Sequence, residues 1–152
     1  TVVFDTGAIG TRGYQPENLY TLLSGYPKVH VVIAHLGFPP GQSEKEDETA
    51  EILWEQMLKA GELKNVWFDT SNLEGLHGEE YPYPEAVKRI KKVYQMYGAD
   101  KLIFGTDAPG ILGKCTYTQA IRFIQRFAEE LSSTEQEQLF FKNAVKAYRI
   151  KI

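Results

Sequence analysis

Four short apolar runs constrain what this chain can fold into more than any other feature of its sequence. They occupy residues 2–4, 29–34, 66–68 and 102–104, and β-branched and aromatic residues dominate them. The runs are too short for helices, and their apolar character is continuous rather than alternating, which predicts strands buried on both faces, as in a parallel sheet. Their onsets are spaced by roughly 30–35 residues, the length of a strand–helix unit.

Segments with the length and periodicity of helices lie between and after these runs. Apolar residues at steps of three and four predict helices over residues 16–24, 48–60, 84–97 and 117–131. Ser132 and Glu135 have the spacing of a capping box for a further helix through residue 141. Asn143 is a candidate cap for a last helix over residues 144–148. The long polar segments 37–47 and 72–84 are predicted as loops after the second and third strands.

The order of these elements predicts an α/β fold. Four strand–helix units make half of a (β/α)8 barrel, whose usual length is ~250 residues. A four-stranded open sheet of the doubly wound type is the competing layout. Its glycine-rich dinucleotide turn has no counterpart here, because Gly105, Gly110 and Gly113 do not open a helix with the required spacing. We predict a single domain over residues 1–152.

A His or an Asp ends each apolar run. These residues are Asp5, His35, Asp69 and Asp107, and in a parallel barrel all four would meet at one mouth. Carboxylates and imidazoles at such a mouth can hold a divalent cation, which makes water a nucleophile near neutral pH. The alternative is structural: Asp caps a helix or a turn, for which Asp69 is the most typical case, and His35 is a hydrogen-bonded core histidine.

The composition excludes several kinds of partner. The net charge of −3 gives no electrostatic reason to expect a nucleic acid or an anionic membrane. No apolar run approaches the ~18–20 residues of a membrane helix. Cys115 is the single cysteine, which excludes an internal disulfide and predicts a cytoplasmic protein. Because the sequence lacks an initiator Met and begins inside an apolar run, we expect it to be part of a longer or processed chain.

Four segments of the sequence are more specific than its periodicity: residues 31–37 (VVIAHLG), 65–71 (NVWFDTS), 101–109 (KLIFGTDAP) and 142–144 (KNA). Together they resemble the amidohydrolase-2 family, whose members are metal-dependent hydrolases and decarboxylases of the TIM-barrel fold. They follow the family's order and span nearly the whole chain, and FGTDAP is the most specific of them. The resemblance implies that this chain supplies about the last four β/α units, the C-terminal half of a TIM-barrel domain.

The resemblance also implies roles for three residues. Asp107, at the end of the eighth strand, is implied to bind a metal and to handle a proton of the attacking water. His35, at the end of the sixth, is implied to be a general acid/base or a substrate-polarising group, and in some members it binds the metal. Asp5 stands where the family has a metal-binding His, although carboxylates also bind zinc or manganese. We therefore expect a divalent metal on Asp107, Asp5 and His35, zinc first and manganese as the alternative.

One motif of the family is absent from this sequence. The His-x-His pair of the family's first strand occurs nowhere in the chain. If this chain is the C-terminal half, the first strand is absent from it, and the ligands of one half cannot complete the three-ligand site of a catalytic zinc. We therefore expect the isolated chain to bind metal weakly and to be inactive. A half barrel also leaves two strand edges open, so we expect the N-terminal half of the barrel, or another copy in a homo-oligomer, as a partner.

Three functions stay open at this point. The first is metal-dependent hydrolysis of an amide, lactone or related bond in a small molecule. The second is metal-dependent, non-oxidative decarboxylation of a small carboxylic acid, with His35 in the same role and Arg12 as a candidate to hold the carboxylate. The third is a non-catalytic barrel fragment with a structural or binding role, which Asp5 in place of His supports. His77, in the second predicted loop, is a further candidate for substrate contact.

Overall fold

The computed structural model describes residues 1–41, 47–76 and 78–152, and in them the strands form a four-stranded parallel sheet. The strands are β1 (Val2–Phe4), β2 (Val31–Ile33), β3 (Val66–Asp69) and β4 (Leu102–Ile103). They pair in chain order, each strand hydrogen-bonded to the next. The structure therefore confirms the predicted α/β fold with a parallel strand at each apolar run. Strands β2 and β4 are shorter than the runs 29–34 and 102–104 that predicted them.

Helices separate the strands and follow the last one. They are α1 (Pro16–Gly25), α2 (Glu48–Leu58), α3 (Leu73–Leu76), α4 (Pro84–Tyr97), α5 (Tyr117–Ala128), α6 (Ser133–Glu137) and α7 (Asn143–Tyr148). Helix α4 has the predicted bounds, whereas α3 lies in a segment predicted as a loop. The capping box of Ser132 and Glu135 is confirmed. Thr116 forms a second one with Gln119 at the start of α5.

Both faces of the sheet are covered at β2, β3 and β4, as continuous apolar strands require. One face packs against the helices and forms the main core, with Ile33, Phe68 and Leu102 fully buried beside Trp54 and Phe123. Successive strand residues point to opposite faces. The other face therefore carries Val32, Trp67 and Ile103, which form a smaller cluster with Ala147 of α7.

Asn143 ties α7 to the sheet. Its side-chain amide donates to the carbonyl oxygens of Ala99 at 2.7 Å and Leu102 at 2.8 Å, where β4 begins. The predicted capping role is therefore wrong. A π-helical turn over Gln138–Lys142 leads directly into α7, so the helix has no free end at Asn143 to be capped.

The two edges of the sheet differ. At the β4 edge the backbone N–H of Phe104 donates to the carbonyl oxygen of Leu139 at 3.0 Å, so a helical segment lies against the end of that strand. At the β1 edge Val2 and Val3 are 45% and 56% exposed, and within the described residues no strand pairs with the outer side of β1. The β1 edge is therefore the open one.

Two predictions concern residues outside the described ranges. His77 is one, and residues 42–46 of the first predicted loop are the other. Among the helices that are described, none combines the length and the apolar character needed to cross a membrane.

Candidate active site

Asp5, His35 and Asp107 lie at the carboxyl ends of β1, β2 and β4, on the same side of the parallel sheet. Asp5 is exposed, and one of its oxygens accepts the backbone N–H of Gly7 at 2.9 Å. Asp107 is also exposed, whereas His35 is buried. β1 and β4 are separated by two strands, so Asp5 and Asp107 stand three strand spacings apart, each about 4.8 Å measured along the sheet.

His35 begins a left-handed turn. Residues 35–38 all have positive φ, with values of 55° at His35, 50° at Leu36, 70° at Gly37 and 54° at Phe38. Left-handed backbone costs a non-glycine residue roughly 1–2 kcal/mol. Such conformations persist where the surrounding structure holds them, and they concentrate at functional sites.

Three side chains from other parts of the fold hold this turn. Asp69 Oδ1 accepts the backbone N–H of His35 at 2.9 Å. Trp54 Nε1 donates to the carbonyl oxygen of Leu36 at 2.8 Å, and the Tyr14 hydroxyl donates to that of Gly37 at 3.0 Å. Burial raises the pKa of Tyr14, so its hydroxyl stays protonated as this bond requires. The strain at His35 is therefore offset by bonds from β3, α2 and the loop before α1.

The imidazole of His35 is bonded through one nitrogen. Nδ1 lies 3.0 Å from the carbonyl oxygen of Ser71 and 2.8 Å from its hydroxyl oxygen. The ring of Phe38 meets the imidazole edge to face, with 4.8 Å between centroids. Nε2 makes no hydrogen bond to any residue that the structure describes, so this nitrogen is available to a ligand.

Asp107 has a positive φ of 58° and stands in a turn that leaves its carboxylate open. Its carbonyl oxygen accepts the backbone N–H of Ile111 at 3.2 Å. A Cβ placed on Gly110 would lie 3.2 Å from Oδ2 of Asp107, so a glycine at this position leaves room for the carboxylate.

Glu74 is an acid of this region that the sequence did not reveal. It lies in α3, is 4% exposed, and its Oε2 has no hydrogen-bond partner among the described residues. Burial raises its pKa to about 7, the charge of Asp107 acts in the same direction, and backbone N–H groups and Lys114 oppose the rise. The protein therefore holds a carboxyl near the end of β4 that is partly neutral at neutral pH. It lay in a predicted loop with nothing in the sequence to mark it as buried.

Tyr83 and Cys115 lie beside Glu74. Burial raises the pKa of Tyr83 to about 12, with further contributions from Cys115 and Glu74. Burial and the charge of Glu74 also raise the pKa of the Cys115 thiol. Both groups thus stay protonated near neutral pH, which fits buried packing rather than a nucleophile.

The donor atoms suit zinc or manganese, but this chain does not assemble a complete site from them. Two open carboxylates and an imidazole nitrogen are ligand types that both metals accept. Within residues 1–41, 47–76 and 78–152, no three His, Cys, Asp or Glu side chains come together as a metal site. The assignment of Asp107, His35 and Asp5 as ligands therefore stays a prediction.

Comparison with known proteins gives a family. A sequence model of the amidohydrolase family matches residues 2–150. A search among curated proteins finds no match.

Solved structures share the fold. An amidohydrolase from Burkholderia multivorans, in crystals with bound HEPES and with bound zinc, is 21% identical and aligns with 98% of this chain and 53% of its own, with TM-scores of 0.83 and 0.80. A probable 2-pyrone-4,6-dicarboxylic acid hydrolase from Acinetobacter baumannii, with citric acid bound, is 18% identical over 98% of this chain and 64% of its own, with a TM-score of 0.67. A 5-carboxyvanillate decarboxylase from Sphingomonas paucimobilis is 16% identical over 88% of this chain and 37% of its own, with a TM-score of 0.53. The chain spans about half the length of the Burkholderia relative.

Proposed function

Because this chain belongs to the amidohydrolase family, we propose that it is the C-terminal half of a metal-dependent hydrolase that acts on an amide, lactone or related bond of a small molecule. One observation carries the proposal. The open carboxylate of Asp107 and the imidazole of His35, whose Nε2 is unbonded among the described residues, stand at the carboxyl ends of β4 and β2, two parallel strands of one sheet with β3 between them. In barrel enzymes this is the face on which catalytic residues lie.

We assign roles to the three residues as follows. Asp107 binds the metal and accepts the proton of the attacking water, since its carboxylate is exposed and open. His35 binds the metal or moves a proton to the leaving group through Nε2. Asp5 is the candidate for a further ligand, through the oxygen that does not accept the Gly7 N–H. When bound, the divalent ion would supply Lewis-acid activation of water and of the substrate carbonyl.

The remaining ligands and the substrate pocket are proposed to come from outside this chain. Zinc catalysis uses three protein ligands and an open position, and the described residues form no such group. The proposed partner is the N-terminal half of the barrel, with a second copy of this chain as the alternative. The proposed location is the cytoplasm, which suits the single, buried and unpaired Cys115.

Elemental analysis of the natural full-length polypeptide tests the proposal. We expect one equivalent of zinc or manganese, which Asp107→Asn removes. Asp100→Asn is the matched control, because Asp100 is exposed and precedes the other end of β4; it should retain the metal. A folded wild-type protein without metal would exclude the metalloenzyme and leave the non-catalytic fragment, and an Asp107→Asn protein that keeps the metal would exclude Asp107 as a ligand.

Decarboxylation is a second candidate, favoured by cations near the site. Arg12 is exposed in the segment after β1, and Lys114 is exposed after β4, where its ammonium group donates to Asn72 Oδ1 at 3.3 Å. Either cation could hold a substrate carboxylate. The two reactions separate in one assay: release of CO2 from carboxylated aromatic acids identifies a decarboxylase, and ring opening of lactones without CO2 identifies a hydrolase.

A further inference from the structure

We propose that Asp69 and Ser71 are positioning residues that fix the tautomer of His35, so that Nδ1 carries the proton and Nε2 carries the lone pair. The inference rests on the proposed function, because it identifies the atom through which His35 would act. It does not depend on which bond the enzyme breaks. In the sequence, Asp69 is the most typical case of a turn or cap residue among the four that end the apolar runs.

The contacts of Ser71 determine where the proton lies. Its carbonyl oxygen is 3.0 Å from His35 Nδ1 and can only accept, so Nδ1 must donate. Its hydroxyl donates to Asp69 Oδ1 at 2.5 Å, which leaves the hydroxyl oxygen to accept from the same Nδ1–H at 2.8 Å. With this tautomer, the His35 Nδ1–H and the Ser71 hydroxyl each donate to an acceptor.

The opposite tautomer would create two repulsive contacts. If Nδ1 carried the lone pair, it would face the carbonyl oxygen of Ser71 with no hydrogen between them. The Ser71 hydroxyl would have to turn towards Nδ1 and leave the Asp69 carboxylate against a bare oxygen. In a buried site, unpaired polar contacts of this kind each cost about 1–3 kcal/mol. His35 and Ser71 are 8% and 5% exposed, so water cannot readily relieve them.

Asp69 holds both partners at once. Its Oδ1 accepts the backbone N–H of His35 at 2.9 Å, the backbone N–H of Ser71 at 3.1 Å and the Ser71 hydroxyl. One carboxylate oxygen thus fixes the left-handed backbone of His35 and the residue that bonds its ring. This is the arrangement by which outer groups orient a histidine ligand or base and select its free nitrogen.

The pair is also enclosed from the β4 side. A Cβ on Gly105 would lie 3.2 Å from the Ser71 Cβ and 3.5 Å from the Asp69 Cβ and Cγ. The close approach of β4 to these two residues accounts for a glycine directly after Phe104, within the segment that leads to Asp107.

Nitrogen NMR of the histidine rings tests the inference directly. The chain has three histidines, so loss of one ring system in His35→Gln assigns the signals. In the metal-free wild-type protein we expect a protonated-type 15N shift at Nδ1 and a lone-pair-type shift at Nε2. Ser71→Ala and Asp69→Asn should each raise the fraction of the Nε2-protonated form, while Ser24→Ala, an exposed hydroxyl on α1, should leave it unchanged.

The outcomes separate the two proposals. A wild-type ring protonated at Nε2, or a ring whose tautomer neither variant changes, would overturn the positioning role whatever the enzyme does. If the full-length wild-type protein binds zinc, Ser71→Ala should weaken that binding by roughly 10–100-fold, the usual effect of losing an outer-shell partner. Absence of zinc binding in the wild type would count against the proposed function and leave the tautomer result standing.

Discussion

Glu74 is a single residue whose burial should make stability depend on pH. Its pKa is raised from 4.5 to about 7, chiefly by burial, so the folded protein binds a proton that the unfolded chain has already lost in this interval. The stability contributed by the neutral carboxyl is fully present below pH 4.5 and is lost as the pH rises through about 7. As the pH rises from 4.5 to about 7, the unfolding free energy of Glu74→Gln should increase relative to that of the wild type by about 2–3 kcal/mol. Urea unfolding of both proteins at a series of pH values measures this difference.

The comparison of the two proteins isolates this group, because the other carboxyls titrate in both. Glu129→Gln, at an exposed position after α5, serves as the control and should show no such gain. A difference between Glu74→Gln and the wild type that stays constant from about pH 4 to pH 8 would mean that Glu74 is not held in its neutral form.

The location of a candidate site residue could be predicted from the sequence only where that residue follows an apolar run. His35 and Asp107 end apolar runs, so their place at the carboxyl edge followed from the parallel sheet. The role of Asp69 did not follow, because a cluster of Asp, Thr, Ser and Asn is typical of turns, and its bond to His35 joins residues 34 positions apart. Glu74 was missed since nothing local marks a loop carboxyl as buried.

Elements were predictable where local signals agreed with packing. Helix α4 has a proline at its start, a glycine at its end and apolar residues at helical spacing, and its bounds match the prediction. The left-handed turn after β2 was not predictable, because His35, Leu36 and Phe38 individually disfavour positive φ. It forms because distant side chains accept or donate at three of its peptide groups.

Asn143 gives a test of how α7 is attached. Asn143→Ala removes two hydrogen bonds and leaves two buried carbonyl groups, those of Ala99 and Leu102, without this donor. We expect a loss of about 2–4 kcal/mol in unfolding free energy, measured by urea denaturation. Lys142→Ala, the preceding and exposed residue, should cost no more than about 0.5 kcal/mol. Equal costs for the two variants would show that the amide does not tie the helix to the sheet.

At the scale of the whole molecule, the sheet has one covered and one open edge. Leu139 accepts a bond at the β4 end, while the outer side of β1 meets no strand within the described residues. In the Burkholderia relative the aligned part is 53% of a longer chain. An open edge with exposed Val2 and Val3 presents unpaired backbone groups and apolar side chains together, which is the usual requirement for pairing with another strand.

The open edge predicts how this chain behaves when prepared alone. We expect it to self-associate through β1, and Val3→Lys to lower the association constant at least ~10-fold, because docking would bury an ammonium group on the face that Val3 shares with Val32. Sedimentation equilibrium measures the effect. Ile52→Lys replaces an equally exposed apolar residue on α2, 55% exposed against 56% for Val3, and should leave association unchanged.

If the chain stays monomeric, or if both variants reduce association alike, β1 is not the docking edge. If only Val3→Lys lowers the association constant, β1 is the docking edge. The N-terminal half of a barrel would then add its strands at this edge and complete the mouth at which His35 and Asp107 stand.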